Sequence, residues 1–209
     1  MSTTSTLRDR CRTRFGDDGN VVSDSDWLTY LNMAKRWFDG ASQFWPWNRV
    51  VMTVTVPPAG SVALPPRVTF VHWAGITLTN PRKLIPVHDR ARWRSLEADV
   101  SSGDPIWYRI IGGTLYVLPT PTANTGVTLE TTRPSPDLTY GGSDPAWPDL
   151  HDGVVTSYAL YLAWLDDGNS GQSQAALAEA QDWLLRALQE LRFEEDADLE
   201  LTDTWWDVS

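Results

Sequence analysis

Residues 147–191 read WPDLHDGVVTSYALYLAWLDDGNSGQSQAALAEAQDWLLRALQEL, and their periodicity decides the fold. Leu150, Val154, Tyr158, Tyr161 and Leu165 recur at steps of four, four, three and four, the spacing that lines residues along one side of a helix. Val155, Ala159 and Leu162 widen that stripe. A polar break from Asp166 to Gly171 follows, and a second series begins: Leu177, Ala180, Leu184, Ala187, Leu188 and Leu191, with Trp183 beside it. The break is as short as helix connections in bundles usually are, so the pattern predicts an antiparallel helical hairpin with facing stripes.

Working outward, the N-terminal region supplies a second helical pair. Leu7, Cys11 and Phe15 are spaced by four, with Arg8, Arg10, Arg12 and Arg14 between them and Gly16 as the stop. The arginines read as a solvated face, contact with an acidic neighbour being the alternative. Ser23 or Ser25 is then placed to cap a helix whose apolar side is Trp27, Leu31, Ala34 and Phe38, with Gly40 at its end.

Between the helical pairs the period changes to two. Beyond Phe44-Trp45-Pro46-Trp47, Val50, Met52, Val54 and Val56 alternate with Val51, Thr53 and Thr55, a β-branched run that predicts a strand. Further strands are expected over Arg67–Trp73, Ile76–Thr79, Ile106–Ile111, Thr114–Leu118 and Val127–Thr132, with one short helix over His88–Ala98. Gly112-Gly113 between two apolar runs signals a tight hairpin. Prolines punctuate the region throughout, which limits its strands to short ones.

The expected architecture is α+β. Two N-terminal helices and the C-terminal helix hairpin form an antiparallel helical bundle from residues 1–48 and 134–193. Residues 49–133 form a short-stranded antiparallel β insertion, and residues 194–209 an extended, acidic C-terminal tail.

Composition narrows the function. The chain has 209 residues and a formal charge of −10, and its last sixteen residues hold seven carboxylates with no Lys or Arg, leaving −3 for the rest. Such a balance argues against a protein that grips phosphate backbones, because that affinity comes from clustered cations releasing counterions. The twelve Trp residues are unusual; they read as core or as faces toward a partner subunit. Cys11 is the only cysteine, so no internal disulfide forms. Neither an export signal nor an apolar run of membrane-spanning length is visible.

A search for chemistry returns little. No glycine-rich phosphate loop, no nucleophile elbow and no metal-binding helix motif is present. Neither catalytic residues nor a cofactor nor a metal site is expected. Among the three histidines, His151 reads as a first-turn residue, and its neighbour Asp152 cannot face it on a helix. His72 reads as a satisfied strand residue. Trp73, Trp93 and Trp107 are candidates to stack on sugars or bases, with core packing the preferred reading. The tail stands out more. Leu199, Leu201, Trp205 and Trp206 sit among acids including Asp203 and Asp207, as apolar anchors in a segment that orders on a partner, folding back on its own domain or staying mobile being the alternative.

The order of features from Gly103 to Leu191 resembles that of the head-to-tail adaptor, or neck connector, proteins of tailed bacteriophages. The matching pieces are Gly103-Asp104-Pro105 before Trp107-Tyr108, the hairpin Gly112-Gly113-Thr114-Leu115-Tyr116, and Pro119-Thr120-Pro121. Then follow the strand Val127–Thr132, Pro136-Asp137-Leu138-Thr139, Asp144-Pro145-Ala146-Trp147-Pro148-Asp149-Leu150-His151, and the closing helix pair. The resemblance implies a non-enzymatic virion protein assembled in the host cytoplasm. It implies a homo-oligomer, typically a twelve-subunit ring, that binds the portal protein on one side and the next tail or neck component on the other. DNA passes through its channel without sequence-specific binding, and no membrane is involved. On this reading Leu199, Leu201, Asp203, Trp205, Trp206 and Asp207 dock on the portal. Trp27, Leu31, Tyr158, Tyr161, Leu165, Trp183, Leu184 and Leu188 build the bundle and ring. The competing expectation is a carbohydrate-binding β-rich module of a phage tail.

Overall fold

The computed structural model describes residues 2–17, 21–76, 82–142 and 144–203, the last eleven of these by backbone alone. It is an α+β protein of two compact units: Met1–Trp47 with Ser135–Ser209, which is helical, and Asn48–Pro134, which is mainly β.

Among the described residues the helical unit has four α-helices, α1 (Thr4–Phe15), α2 (Asp24–Gly40), α4 (Asp152–Asp166) and α5 (Ser170–Asp203); α3 belongs to the β unit. The hydroxyl of Thr3 caps α1 by accepting from Thr6 N at 3.1 Å, and that of Ser23 caps α2 by accepting from Asp26 N at 3.2 Å. Asp24 and Asp26 lie in the first turn of α2, where carboxylates are favoured by the helix dipole. Helix α4 is the centre of the unit, packing against α1, α2 and α5. Its buried residues are Val154, Val155, Thr156, Ser157, Ala159, Leu160 and Ala163 along with Asp152. Of the expected stripe, Val154, Val155 and Ala159 are buried and Tyr158 and Tyr161 half-buried, but the buried face is wider than that stripe. With neighbours on several sides, the helix turns Thr156, Ser157, Ala159 and Ala163 inward as well as its larger apolar residues, while Leu165 near its C-terminal end is 54% exposed and Leu150, in the short turn before it, 57%.

A second difference concerns the C-terminus. An extended tail was expected from Glu194, but α5 is continuous through Asp203. Among the residues whose side chains are described, Leu191 is the last in the core, and at 1.5 Å per residue the whole helix is roughly 50 Å long against about 22 Å for α4.

Among its described residues the β unit has eight strands and α3 (Arg90–Asp99). One sheet has the order β1 (Arg49–Val56), β8 (Thr125–Thr132), β3 (Phe70–Ile76), β4 (Arg82–Lys83). The other runs β2 (Ser61–Ala63), β7 (Thr114–Leu118), β6 (Trp107–Ile111), β5 (Ile85–Pro86). All pairings are antiparallel except β5 with β6, which is parallel and only two residues long. Pro86 is tolerated because β5 is an edge strand. The β6–β7 hairpin turns through Gly112 and Gly113 at φ of 55° and 75°, the positive values that a two-residue turn of this kind demands. Val54, Val56, Ala74, Ile76, Leu84, Tyr108, Leu115, Val117, Val127 and Leu129 form the unit's core. Trp93 of α3 packs with Val87 and Leu118 in a smaller cluster.

The run expected as Arg67–Trp73 is met by β3, which starts at Phe70 and continues to Ile76; of the strand expected over Ile76–Thr79, residues 77–79 lie outside those described. Strands β2, β4 and β5, two or three residues each, were not anticipated, because alternation cannot declare itself over so short a run.

Candidate interaction site

The aromatic residues concentrate around α2 and α4. Phe38 lies 4.9 Å from Trp45, 5.6 Å from Trp47, 6.1 Å from Trp147 and 6.0 Å from His151, ring centre to ring centre. Trp45 and Trp47 stack at 4.8 Å. Phe15 stacks on Trp164 at 4.0 Å, and Trp37 on Tyr158 at 4.2 Å. The ten Trp residues whose surroundings are described are all buried or half-buried, so packing within the chain is what these rings do. That holds for Trp73, Trp93 and Trp107, none of which stands out as an open stacking platform.

The eight residues expected to build the bundle divide by place. Trp27 and Leu31 are fully buried, and the Trp27 indole donates to Asp17 Oδ2 at 3.2 Å. Tyr158, Tyr161, Trp183, Leu184 and Leu188 are half-buried and pack on the helical core. Leu165 is exposed at the C-terminal end of α4. Trp183 of α5 covers Gly153 of α4 so closely that a Cβ there would lie 2.7 Å from its Cε2. Glycine at 153 is what lets these helices meet, a role no periodicity reveals.

The arginines of α1 are not a free solvated face. Arg8 and Arg12 bridge to Asp24 at 3.1 and 2.8 Å, Arg10 reaches Asp152 at 2.6 Å, and Arg14 pairs with Glu179 of α5. The acidic-neighbour alternative is the one observed. Asp152 is 3% exposed; its other oxygen accepts from the Trp147 indole at 3.1 Å. The carboxylate beside His151 therefore ties α1, α4 and the incoming Trp147 segment together. His151 itself is buried against Phe38 and Trp47, with Nε2 3.9 Å from Glu190.

Two further polar contacts hold segments with no periodicity of their own. The Asn32 side chain donates to Leu138 O at 3.1 Å and accepts from Leu138 N at 2.7 Å, acting as a strand would toward residues 136–139. Buried Lys35 pairs with Asp39 at 2.5 Å and donates to Ser135 O at 2.9 Å. A buried ion pair of this kind is tolerated because each partner is neutralised and hydrogen-bonded. In the β unit, His72 Nε2 lies 2.6 Å from Thr132 Oγ1, within the sheet.

Of the residues expected to dock on a portal, Leu199, Leu201 and Asp203 lie on the last turns of α5, their side chains not described. Trp205, Trp206 and Asp207 lie outside the described residues. Charge is divided sharply between the units. The helical unit has eight Lys or Arg against twenty-two acids, the β unit nine against five. Among the described residues no helix is long and apolar enough to cross a membrane, and no three His, Cys, Asp or Glu come together as metal ligands.

A family model described as SU10 adaptor protein matches residues 2–204. No curated protein matches.

Proposed function

Since the chain belongs to the SU10 adaptor protein family, a family of structural phage adaptors, we propose that it forms the ring joining the portal vertex of a phage capsid to the tail. The observation that carries this reading is the extent of the family match, which takes in both helical pairs and the whole β unit rather than one motif. Ring formation requires two different faces on each subunit. The helical unit supplies α2, α4 and α5 for them, on which Met33, Leu165 and Leu185 are exposed apolar residues.

The strongly acidic helical unit suits the lining of a DNA channel, since carboxylates repel phosphates and let the duplex pass without sticking. The C-terminal end of α5 is the arm. Residues 194–203 carry six carboxylates on a helix, several of them four apart and all at the end where the helix dipole disfavours anions. A basic groove on the portal removes that penalty. Trp205 and Trp206, immediately beyond, supply the apolar anchors, with Leu199, Leu201, Asp203 and Asp207 beside them. The test is capture of the full chain by its portal protein: replacing Trp205 and Trp206 with Ala abolishes capture while leaving thermal unfolding unchanged. Undiminished capture refutes the arm.

A further inference from the structure

Sheet edges are templates for pairing with another chain, and most edges in the β unit are guarded against it. β2 has three residues, β4 is the two-residue charged pair Arg82-Lys83, and β5 has two residues including Pro86. The part of β3 that β4 leaves open is broken by a bulge between Val71 and Trp73. β1 is different. It is eight residues long, RVVMTVTV, with one charge, no proline before Pro57, and an unbroken register against β8. Val51 is 70% exposed.

The hydrogen-bond parity shows which groups this edge offers. Asn48 O accepts from Arg133 N at 2.7 Å, whereas Thr132 O, one step along β8, accepts from Thr69 N on the β3 side at 3.0 Å. In an antiparallel ladder the direction alternates. Val50, Met52, Val54 and Val56 therefore bond to β8, and Arg49, Val51, Thr53 and Thr55 turn their N–H and C=O groups outward. Among the described residues nothing bonds to those four on that side.

We propose that β1 is a strand-pairing site for a second copy of this chain, joined antiparallel β1 to β1 about a two-fold axis at Met52. The sequence of the edge is complementary to itself in one register. Arg49 then faces Thr55 and Val51 faces Thr53, so all four outward residues of each copy enter hydrogen-bonded pairs; a slip of one pair in either direction engages only three. The two Arg49 side chains sit at opposite ends, and no like charges oppose each other. On the inner face Val50 meets Val54 and Met52 meets Met52, which extends the apolar face of one sheet into the next. In this register the two copies of residue 52 form a non-hydrogen-bonded pair, whose close Cα atoms suit a disulfide. The pairing rests on this edge alone and not on the adaptor reading; such a dimer is a form of the free chain that covers its open edge.

The test is oxidation of the full-length Met52→Cys chain, together with sedimentation of the wild type across a range of concentrations. The native Cys11 is fully buried and does not compete. A covalent dimer linked through position 52 is expected, as is a concentration-dependent wild-type dimer. Thr53→Pro removes an outward N–H without touching the β8 ladder. It should weaken the wild-type dimer roughly tenfold or more and suppress the cross-link, since its ring blocks the approaching strand. A wild-type chain that stays monomeric overturns the proposal. So does a dimer indifferent to Thr53→Pro, or a well-folded Met52→Cys chain that forms no cross-link, either of which points to another face or to a strand from another protein.

Discussion

Arg10 Nη1 donates to Asp152 Oδ2 over 2.6 Å, joining residues 142 positions apart, and it does so where Asp152 is almost fully enclosed. The same carboxylate receives the Trp147 indole, so α1, α4 and the segment entering α4 meet at one side chain. Replacing Asp152 with Ala strands the indole and removes the partner of Arg10. The expected loss is about 3 kcal/mol, the cost of leaving buried polar groups unmatched. Arg10→Ala should cost less, about 1–2 kcal/mol, because water reaches the half-exposed guanidinium. Urea unfolding of both variants checks the order, and equal losses would contradict it.

At Gly153, α4 lies directly under the Trp183 ring of α5. Alanine is ordinarily the better helix residue by roughly 1 kcal/mol. Here its Cβ would enter the Trp183 ring, and overpacking of that kind costs about 1–3 kcal/mol. Gly153→Ala is therefore expected to destabilise, and a companion Trp183→Ala substitution to relieve the clash while leaving a cavity. Thermal unfolding of the two single variants and the double variant forms the cycle that tests the contact.

Cys11 is fully buried in the helical core, and burial pushes its thiol up from 9.0 to about 12. The folded state thus holds the proton more tightly than the unfolded chain. Its stabilising contribution is complete below about pH 9 and is lost as the pH rises toward 12. Unfolding free energy should fall across that window, and Cys11→Ala should flatten the slope while lowering stability at neutral pH. A thiol reagent at pH 8 should leave the folded chain unlabelled and modify it on unfolding. Rapid labelling of the native protein would contradict the burial.

The acidic end of α5 makes its helicity sensitive to salt. Screening weakens repulsion among the carboxylates of residues 194–203 and their conflict with the helix dipole. Amide exchange in this stretch should slow as salt is raised, while exchange within α4 stays constant. The same dependence in both segments would show that salt acts on the whole unit and not on the arm.

Much of this arrangement is legible in the sequence. The helices of the C-terminal hairpin, the change to period two after Trp47, and the Gly112-Gly113 turn each follow from a local rule that the structure obeys. What periodicity misses lies where local rules stop. Helix α4 has neighbours on several sides, so small and polar residues such as Thr156 and Ser157 also face inward, and a single-stripe reading misses them while picking the exposed Leu165. The Arg residues of α1 look solvated because two of the carboxylates they meet, Asp152 and Glu179, lie 142 and 165 positions away, and Asp24 lies on the next helix. Asn32 escapes notice for the same reason: an amide that serves as a surrogate strand for Leu138 has no spacing signature. Of the two surfaces we propose for interaction, the acidic, Trp-bearing end of the chain is marked by sequence, whereas the open edge of β1 becomes visible only once strand order is known.

The central claim is that this chain is the ring between portal and tail. Electron microscopy of the full-length protein mixed with its portal protein tests it most directly. The account predicts a second ring of this chain stacked coaxially on the portal, with α5 ends directed to it. Portal particles that remain bare at saturating concentrations of the chain would contradict it.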